Sequence, residues 1–170
     1  ATLSSITVTT DADGKARVLA IANTFAGSFA VTAAVNGVAT PASFMLHNLS
    51  GTPATIRLVS GDAQSAGAGQ AFSSPLVFEV VDSHGNPVEG VPVTLALPTS
   101  GPSATCTPVD PTTGADGRVS ITCTANDRTG AFTLGASAPA VATPVTAMLT
   151  NVALATRTTL VADPTTVRVG

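Results

Sequence analysis

The two cysteines are spaced in a way that predicts a covalent link. Cys106 and Cys123 flank a turn-forming segment whose midpoint falls between Gly114 and Ala115, so a simple hairpin would place them opposite each other. We expect a disulfide, which would close a loop of about 16 residues and contribute roughly 3 kcal/mol in the chain-entropy model. Such a bond requires an oxidising compartment. The alternative is a pair of reduced, buried thiols; a metal site is disfavoured because two ligands are too few and no histidine lies nearby in sequence.

Acidic and imidazole side chains offer little further chemistry. The segment 11–14, Asp-Ala-Asp-Gly, resembles the start of a calcium loop, but the later ligands and the closing glutamate are missing, so we expect a plain hairpin turn. Asp62 and Asp163 could hold a cation between domains, because both lie near positions where we expect one domain to meet the next. His47 and His84 are the two histidines, and we expect both at the surface.

Covalent and nucleophilic chemistry is equally poorly supported. No serine or threonine has a positioned base or a nucleophile elbow. An isopeptide bond would need Lys15, the single lysine, and we do not expect one. The triplet Asn48-Leu49-Ser50 is a formal glycosylation sequon, which we expect to be unmodified. The sequence therefore predicts neither an enzyme nor a cofactor site.

Composition excludes other classes of partner. Only 10% of the 170 residues are charged and the net charge is −3, with seven scattered basic residues, whereas phosphate binding requires clustered lysine and arginine. No apolar run reaches the roughly 18 residues of a membrane span. We therefore expect neither a nucleic-acid partner nor a transmembrane segment. Threonine, serine, glycine and proline favour strands and turns.

An internal repeat organises the chain. At an offset of 103 positions, 19 of the first 49 residues are identical, without a gap. Segment 54–61 returns, slightly shifted, as segment 157–163. We therefore predict three parts: 1–49 as the C-terminal half of one unit, 50–152 as a complete unit, and 153–170 as the first strand of a following unit. A period near 100 residues matches one small domain.

Side-chain alternation with a period of two predicts strands throughout this unit. Seven short strands over about 100 residues have the size and rhythm of an immunoglobulin-like sandwich. The sequence therefore predicts an all-β protein of tandem seven-stranded Greek-key sandwiches. The predicted strands are 54–60, 76–82, 91–97, 104–109, 118–125, 131–137 and 144–150 in the complete unit, and 1–8, 16–23, 28–35 and 41–48 before it.

One run identifies a family resemblance. A strand ending at Asp82, the turn Gly85-Asn86-Pro87 and the strand Val91-Pro92-Val93-Thr94 together resemble the bacterial immunoglobulin-like domain of the invasin and intimin type. The resemblance covers essentially the whole chain. It implies a bacterial surface or secreted protein in which such units are strung into a stalk, and it does not imply an adhesive tip. An antibody relationship is only architectural, because the predicted cysteine pair lies within one hairpin and the chain has no tryptophan.

Three functional hypotheses remain. The first is a rigid spacer in an extracellular adhesin-like protein, whose partners are the neighbouring repeats or copies of itself. The second is a filament subunit assembled by strand donation, in which the tail Thr158–Gly170 adds to the open sheet of another molecule. The third, a sugar- or ligand-binding module, is disfavoured because phenylalanine, present six times, is the only aromatic residue available for stacking.

Overall fold

The computed structural model describes residues 1–154, and all of its regular structure in that range is β-strand. Four strands precede the linker near residue 50, and eight follow it. The first four are β1 (Thr2–Leu3), β2 (Ala20–Ile21), β3 (Gly27–Ala33) and β4 (Ala42–Asn48). The remaining eight are β5 (Thr55–Ser60), β6 (Gln64–Gly67), β7 (Leu76–Val81), β8 (Thr94–Ala96), β9 (Ala104–Thr107), β10 (Arg118–Ala125), β11 (Gly130–Ser137) and β12 (Val145–Val152).

Strands β5 to β12 form two four-stranded sheets that enclose a common core. One sheet has the order β5-β7-β10-β9 and the other has the order β6-β12-β11-β8. In β10, buried and solvent-facing residues alternate without a break, so that one face supplies the core and the other meets water. The largest fully buried apolar side chains come from both sheets: Leu76, Phe78, Val80, Ile121, Leu134 and Leu149. These residues make segment 55–152 a two-layer sandwich, and the all-β immunoglobulin-like prediction is confirmed.

The backbone repeats with the same spacing as the sequence. The pairing of β3 with β4 runs from Gly27 opposite Asn48 to Ala33 opposite Ala42, and the pairing of β11 with β12 runs from Gly130 opposite Asn151 to Ala136 opposite Val145. Each of these residues is matched by one 103 positions later. The short β1-β2 ladder likewise corresponds to part of the β9-β10 ladder. Residues 1–48 therefore have the same strand pairing as the last four strands of the complete sandwich.

The structure contains one strand that the sequence analysis missed and shortens several others. The extra strand is β6, which pairs in parallel with β12; it reads Gln-Ser-Ala-Gly, a sequence without apolar alternation. Predicted strand 91–97 is reduced to Thr94–Ala96, with an isolated bridge between Pro92 and Thr112. A proline has no amide hydrogen to donate to a ladder, which explains the interruption. The segment from 55 to 152 thus has eight strands instead of seven.

Predicted strands 1–8 and 16–23 shrink to two residues each. In the complete unit, Arg118–Ile121 pairs with β7, and the matching residues 15–18 have no such partner among the described residues. A strand depends on a neighbour for its hydrogen bonds, so the unpaired portion remains irregular. Apolar side chains before the linker that match core positions are exposed, including Val18 at 41% and Phe44 at 54%, whereas their counterparts Ile121 and Ala147 are at most 1% exposed.

Candidate junction between repeat units

The turn after β7 is organised by a buried carboxylate. Asp82 is 4% exposed, and its Oδ1 accepts hydrogen bonds from the backbone amides of His84 and Asn86, both at 2.9 Å. Its Oδ2 accepts one from Asn86 Nδ2 at 2.9 Å and one from the backbone amide of Gly51 at 2.8 Å. The hydrogen bonds from Asn86 and Gly51 lower the pKa of Asp82 well below its ordinary value. One carboxylate therefore fixes both this turn and the start of the linker that precedes β5.

Asn86 extends from this turn to the strands before the linker. Its Nδ2 donates to the carbonyl oxygen of Thr24 at 2.7 Å, and its Oδ1 accepts from the amide of Ala26 at 2.9 Å. A side-chain amide thus pairs with two backbone groups, one through its donor and one through its acceptor. Because no side chain of residues 24–26 takes part in these two bonds, the contact recognises the shape of the loop and not its sequence.

The loop that receives Asn86 is held in place by two further asparagines. Asn48 Nδ2 donates to Asn23 Oδ1 at 2.8 Å and to the carbonyl oxygen of Phe25 at 3.0 Å. Asn23 Oδ1 also accepts from the amide of Phe25 at 3.2 Å. We call residues 23–26 the receiving loop. Asn48 is the last residue of β4, so the receiving loop is anchored to the strand that leads into the linker.

The same arrangement occurs 103 residues later. Asn151 Nδ2 donates to Asn126 Oδ1 at 2.9 Å and to the carbonyl oxygen of Arg128 at 3.0 Å. Asn126 Oδ1 accepts from the amide of Arg128 at 3.2 Å. Residues 126–129 therefore form a second receiving loop, whose internal hydrogen bonds reproduce those of the first within about 0.1 Å.

The disulfide and an ion-pair cluster lie elsewhere in the complete unit. Cys106 in β9 is directly opposite Cys123 in β10, and the two are joined with an S–S distance of 2.08 Å. Leu3 and Ala20 occupy the corresponding opposed positions in β1 and β2. On the neighbouring strand β7, Glu79 is paired with Arg57 and Arg118. Burial opposes ionisation of this carboxyl, but the hydrogen bonds from the two arginines outweigh it and lower the pKa of Glu79.

The other sequence-level candidates are not brought together. Asp11 Oδ1 accepts hydrogen bonds from the amides of Asp13 and Lys15, which is the geometry of a turn. Asp62 Oδ1 accepts from the amide of Met148 at 2.7 Å. Within residues 1–154 no group of three or more His, Cys, Asp or Glu side chains is arranged to hold a metal ion. Asp163 and the tail Thr158–Gly170 lie outside the described residues.

The histidines and the sequon occupy simple local environments. His47 is exposed, with its Nδ1 at 2.8 Å from Ser28 Oγ, and exposed His84 has its Nδ1 at 3.3 Å from Ser83 Oγ. Asn48, the sequon asparagine, is 8% exposed and its Nδ2 is committed to the receiving loop. The buried amide that an oligosaccharide would have to modify is therefore part of the junction.

Shallow surface depressions in the described part of the chain lack the features of a ligand site. One of about 350 Å³ beside the second receiving loop is lined by small or polar residues and one proline, with Arg128 the single charged side chain. A second, of about 180 Å³, lies beside the first receiving loop and contains Phe25 and Phe29. No helix that could cross a membrane is found over residues 1–154.

The junction residues were not identified from the sequence as a site. The sequence patterns place Asp82 at the end of a strand and Asn86 in a turn, and such patterns indicate where a chain reverses and not what the turn contacts. The internal repeat is the feature of the sequence that points to the junction. Asn23, Asn48, Asn126 and Asn151 are identical pairs at the 103-residue offset, and polar residues kept at equivalent positions in both units indicate a shared structural role.

Comparison with solved structures places the fold. FdeC, a broadly conserved Escherichia coli adhesin, matches 75% of this chain with a TM-score of 0.53 and 20% identity. The D0-D1 domain of intimin matches 88% of the chain (TM-score 0.45, 20% identity), and domains 4 and 5 of the S-layer protein SbsC match 75% (TM-score 0.47, 16% identity). The matches span 41% of the FdeC chain, 74% of the intimin chain and 59% of the SbsC chain. No protein-family model and no curated protein matches the sequence. The likeness to FdeC shows the fold, in agreement with the resemblance to immunoglobulin-like domains of the intimin type.

Proposed function

We propose that this chain is part of a rigid spacer in an extracellular bacterial surface protein, built from immunoglobulin-like repeats and without a catalytic site or cofactor. Residues 1–49 are the C-terminal half of one repeat, 50–152 a complete repeat, and 153–170 the first strand of a following repeat. The observation that carries the proposal is the two-point contact of Asn86 with the receiving loop, which joins one repeat to the next outside the covalent linker.

Two properties of the junction support a stiff connection. The linker between β4 and β5 comprises residues 49–54, too few to behave as a flexible coil. Gly51, within that linker, donates to Asp82, so that the linker is attached to the same turn that carries Asn86. Bending at this point would break hydrogen bonds at both ends of the turn. The link to adhesins and S-layers, and with it the extracellular location, is part of the proposal; it is supported by the disulfide and by the fold shared with FdeC.

Distances between two spin labels, measured by double electron–electron resonance, would test the stiffness. Spin labels at Ser43 and Ser120, two exposed positions on either side of the linker, would report the distance between the repeats. Each of these serines is replaced by cysteine for labelling. The protein also carries Cys106→Leu and Cys123→Ala, so that the two introduced thiols are the only ones. We expect a narrow distance distribution that broadens when Asn86→Ala is added. A distribution that is already broad before Asn86 is changed would contradict the rigid spacer.

An alternative function is a filament subunit assembled by strand donation between incomplete sandwiches. The observation in its favour is the exposed apolar surface of residues 1–48, which includes Val18, Phe44 and Leu46 at 41%, 54% and 36% exposure. Exposing such a surface to water is energetically unfavourable, and strands of another molecule can pair with its open edge. In this alternative, the tail Thr158–Gly170 would supply a strand to another copy.

Negative-stain microscopy combined with light scattering at rising protein concentration separates the two functions. Filaments that disappear when residues 158–170 are deleted would support strand donation. A monodisperse particle at all concentrations would contradict it and leave the spacer. The shortened chain is its own control, because the complete sandwich between 55 and 152 does not include the deleted residues.

A further inference from the structure

The second receiving loop is prepared for a contact that the described chain does not make. Asn126 and Asn151 hold residues 126–129 in the same hydrogen-bonded form as residues 23–26. In the first loop, the carbonyl of Thr24 and the amide of Ala26 bind Asn86. The matching groups in the second loop are the carbonyl of Asp127 and the amide of Thr129, and neither forms a hydrogen bond with any of residues 1–154.

We infer that the loop 126–129 is the docking site for the turn of a following repeat that is equivalent to Asp82–Asn86. This inference deepens the proposed spacer function and rests on it. The asparagine of the incoming turn donates to the carbonyl of Asp127 and accepts from the amide of Thr129. Its aspartate accepts from the linker, as Asp82 accepts from Gly51.

Backbone recognition makes this reuse possible even though the loops differ in sequence. The first receiving loop reads Thr-Phe-Ala at positions 24–26, and the second reads Asp-Arg-Thr at positions 127–129. Since the contact of Asn86 involves only backbone atoms of the first loop, the three differences leave the docking groups unchanged. What the two loops share is the asparagine pair that sets their conformation.

Charge and exposure at the second loop are compatible with such a partner. Asp127, Arg128 and Thr129 are all exposed, so an incoming turn meets no covering segment within the described residues. Asp127 and Arg128 carry opposite charges and give the loop no net charge. The carboxylate at Asp82 is ionised and accepts hydrogen bonds from its own unit and from the linker, so the equivalent carboxylate of a docking turn needs no charged partner on the loop.

The test completes the third repeat. At an offset of 101 positions, Asp62 and Gly69 match Asp163 and Gly170, so a copy of residues 70–154 fused after Gly170 continues the third repeat from that alignment. Amide hydrogen exchange, followed by NMR, then reports on the Thr129 amide. We expect its exchange to slow by about tenfold relative to the original 170-residue chain, as one new hydrogen bond would produce.

Matched variants assign any protection to the proposed contact. Asn86→Ala in the copied repeat should restore fast exchange at Thr129, whereas Asn86→Ala in the original repeat should affect the Ala26 amide alone. Replacing the loop by Asp127→Thr, Arg128→Phe and Thr129→Ala should leave the amide at position 129 protected, because the contact is to the backbone. Loss of protection in this loop replacement would overturn the backbone mode of recognition.

The inference is overturned if the Thr129 amide exchanges equally fast with and without the added repeat. In that comparison, slow exchange at the copied Ile121, a core position, shows that the added repeat is folded. A narrow spin-label distance across the first junction together with an unprotected Thr129 would leave the spacer standing and remove only the docking site. A broad distance would count against the spacer itself.

Discussion

At the scale of single residues, the Asp82 carboxylate has the clearest pH signature. Four hydrogen-bond donors converge on it, and each favours the ionised form. Its pKa in the folded protein lies below the ordinary value of 3.8. A group with a depressed pKa adds stability above its unfolded pKa and loses that contribution as the pH falls through its folded pKa.

We therefore expect Asp82→Asn to be less stable than the original protein at neutral pH, with the gap closing as the pH falls below about 3.8. Free energies of unfolding from urea titrations between pH 2 and pH 7 would measure this effect. Glu89→Gln, at an exposed carboxylate in the same unit, is the control. If the difference in the free energy of unfolding between Asp82→Asn and the original protein stays constant down to pH 2, the charge of the carboxylate does not contribute to stability.

The disulfide can be tested with residues that the other repeat already carries. The double change Cys106→Leu, Cys123→Ala installs the residues found at the opposed positions Leu3 and Ala20. We expect a loss of roughly 3 kcal/mol in the free energy of unfolding, because the closed loop of about 16 residues is opened in the unfolded chain. Denaturant unfolding provides the measurement. Addition of a reductant should produce a similar loss in the original protein and none in the variant, and equal stability of all samples would exclude the bond.

At the scale of elements, the turn before β10 shows how closely this part of the chain packs against β7 and the turn that follows β7. Gly117 has φ near +70°, and a Cβ there would lie 2.7 Å from the carbonyl oxygen of Val80 and 2.8 Å from Pro87 Cβ. Gly85 has φ near +83°, and a Cβ on it would meet nothing within 4 Å. The two glycines thus share a positive φ that would strain any residue with a Cβ, and they differ in packing.

We expect Gly85→Ala to cost about 1 kcal/mol through strain alone. Gly117→Ala should cost roughly 2 to 4 kcal/mol, because overpacking adds to the strain. Thermal and urea unfolding of the two variants would provide the comparison. Similar losses for both would mean that the turn yields without disturbing β7, and that the close contact of Gly117 with Val80 and Pro87 does not limit stability.

The element boundaries show what sequence patterns could predict. The alternation in β10 and β11 located these strands well, because one face of each is covered by the opposite sheet. The pattern failed for β6, whose four small or polar residues form a strand through parallel pairing with β12. It also failed for residues 16–23: the residues that match the inward positions of β10 are apolar, but the strand that should pair with them is not among residues 1–154. The pattern of apolar residues indicates which face of a strand is suited to be covered, whereas a strand forms only where a neighbouring strand supplies its hydrogen bonds.

The junction was less predictable than the fold for a related reason. Alternation identifies faces, but a contact such as that of Asn86 with Thr24 joins residues 62 positions apart through a single side chain. No local pattern encodes that distance. The repeat alone hinted at it, through asparagines kept at positions 23, 48, 126 and 151.

At the scale of the whole molecule, the first repeat should be completed by a front half of the same kind. A copy of residues 51–103 fused before Ala1 is in register, because Ala1 matches Ala104. We expect the copied β7 to pair with residues 15–18 and to place its Glu79 beside Lys15, which occupies the position of Arg118. Val18 and Phe44, now largely exposed, should become buried.

Fluorescence of a hydrophobic dye and amide exchange would measure this completion. Dye binding should fall relative to the original chain, and the amides of residues 15–18 should become protected. As a matched control, the same fusion with Leu76→Asp and Phe78→Asp in the added copy should fail to close the sandwich. Unchanged dye binding in the intact fusion would contradict the division at residues 49 and 50.

The Asn86 contact has a consequence for how a protein of this kind can grow. Because the contact is made to main-chain atoms of a loop whose conformation two asparagines set, a repeat that keeps this asparagine pair and the Asp82–Asn86 turn would carry both sides of the proposed contact. Gene segments can then be duplicated or excised in whole multiples of one repeat, and the outward side chains of each loop can diverge freely, without any two neighbours having to be matched to each other.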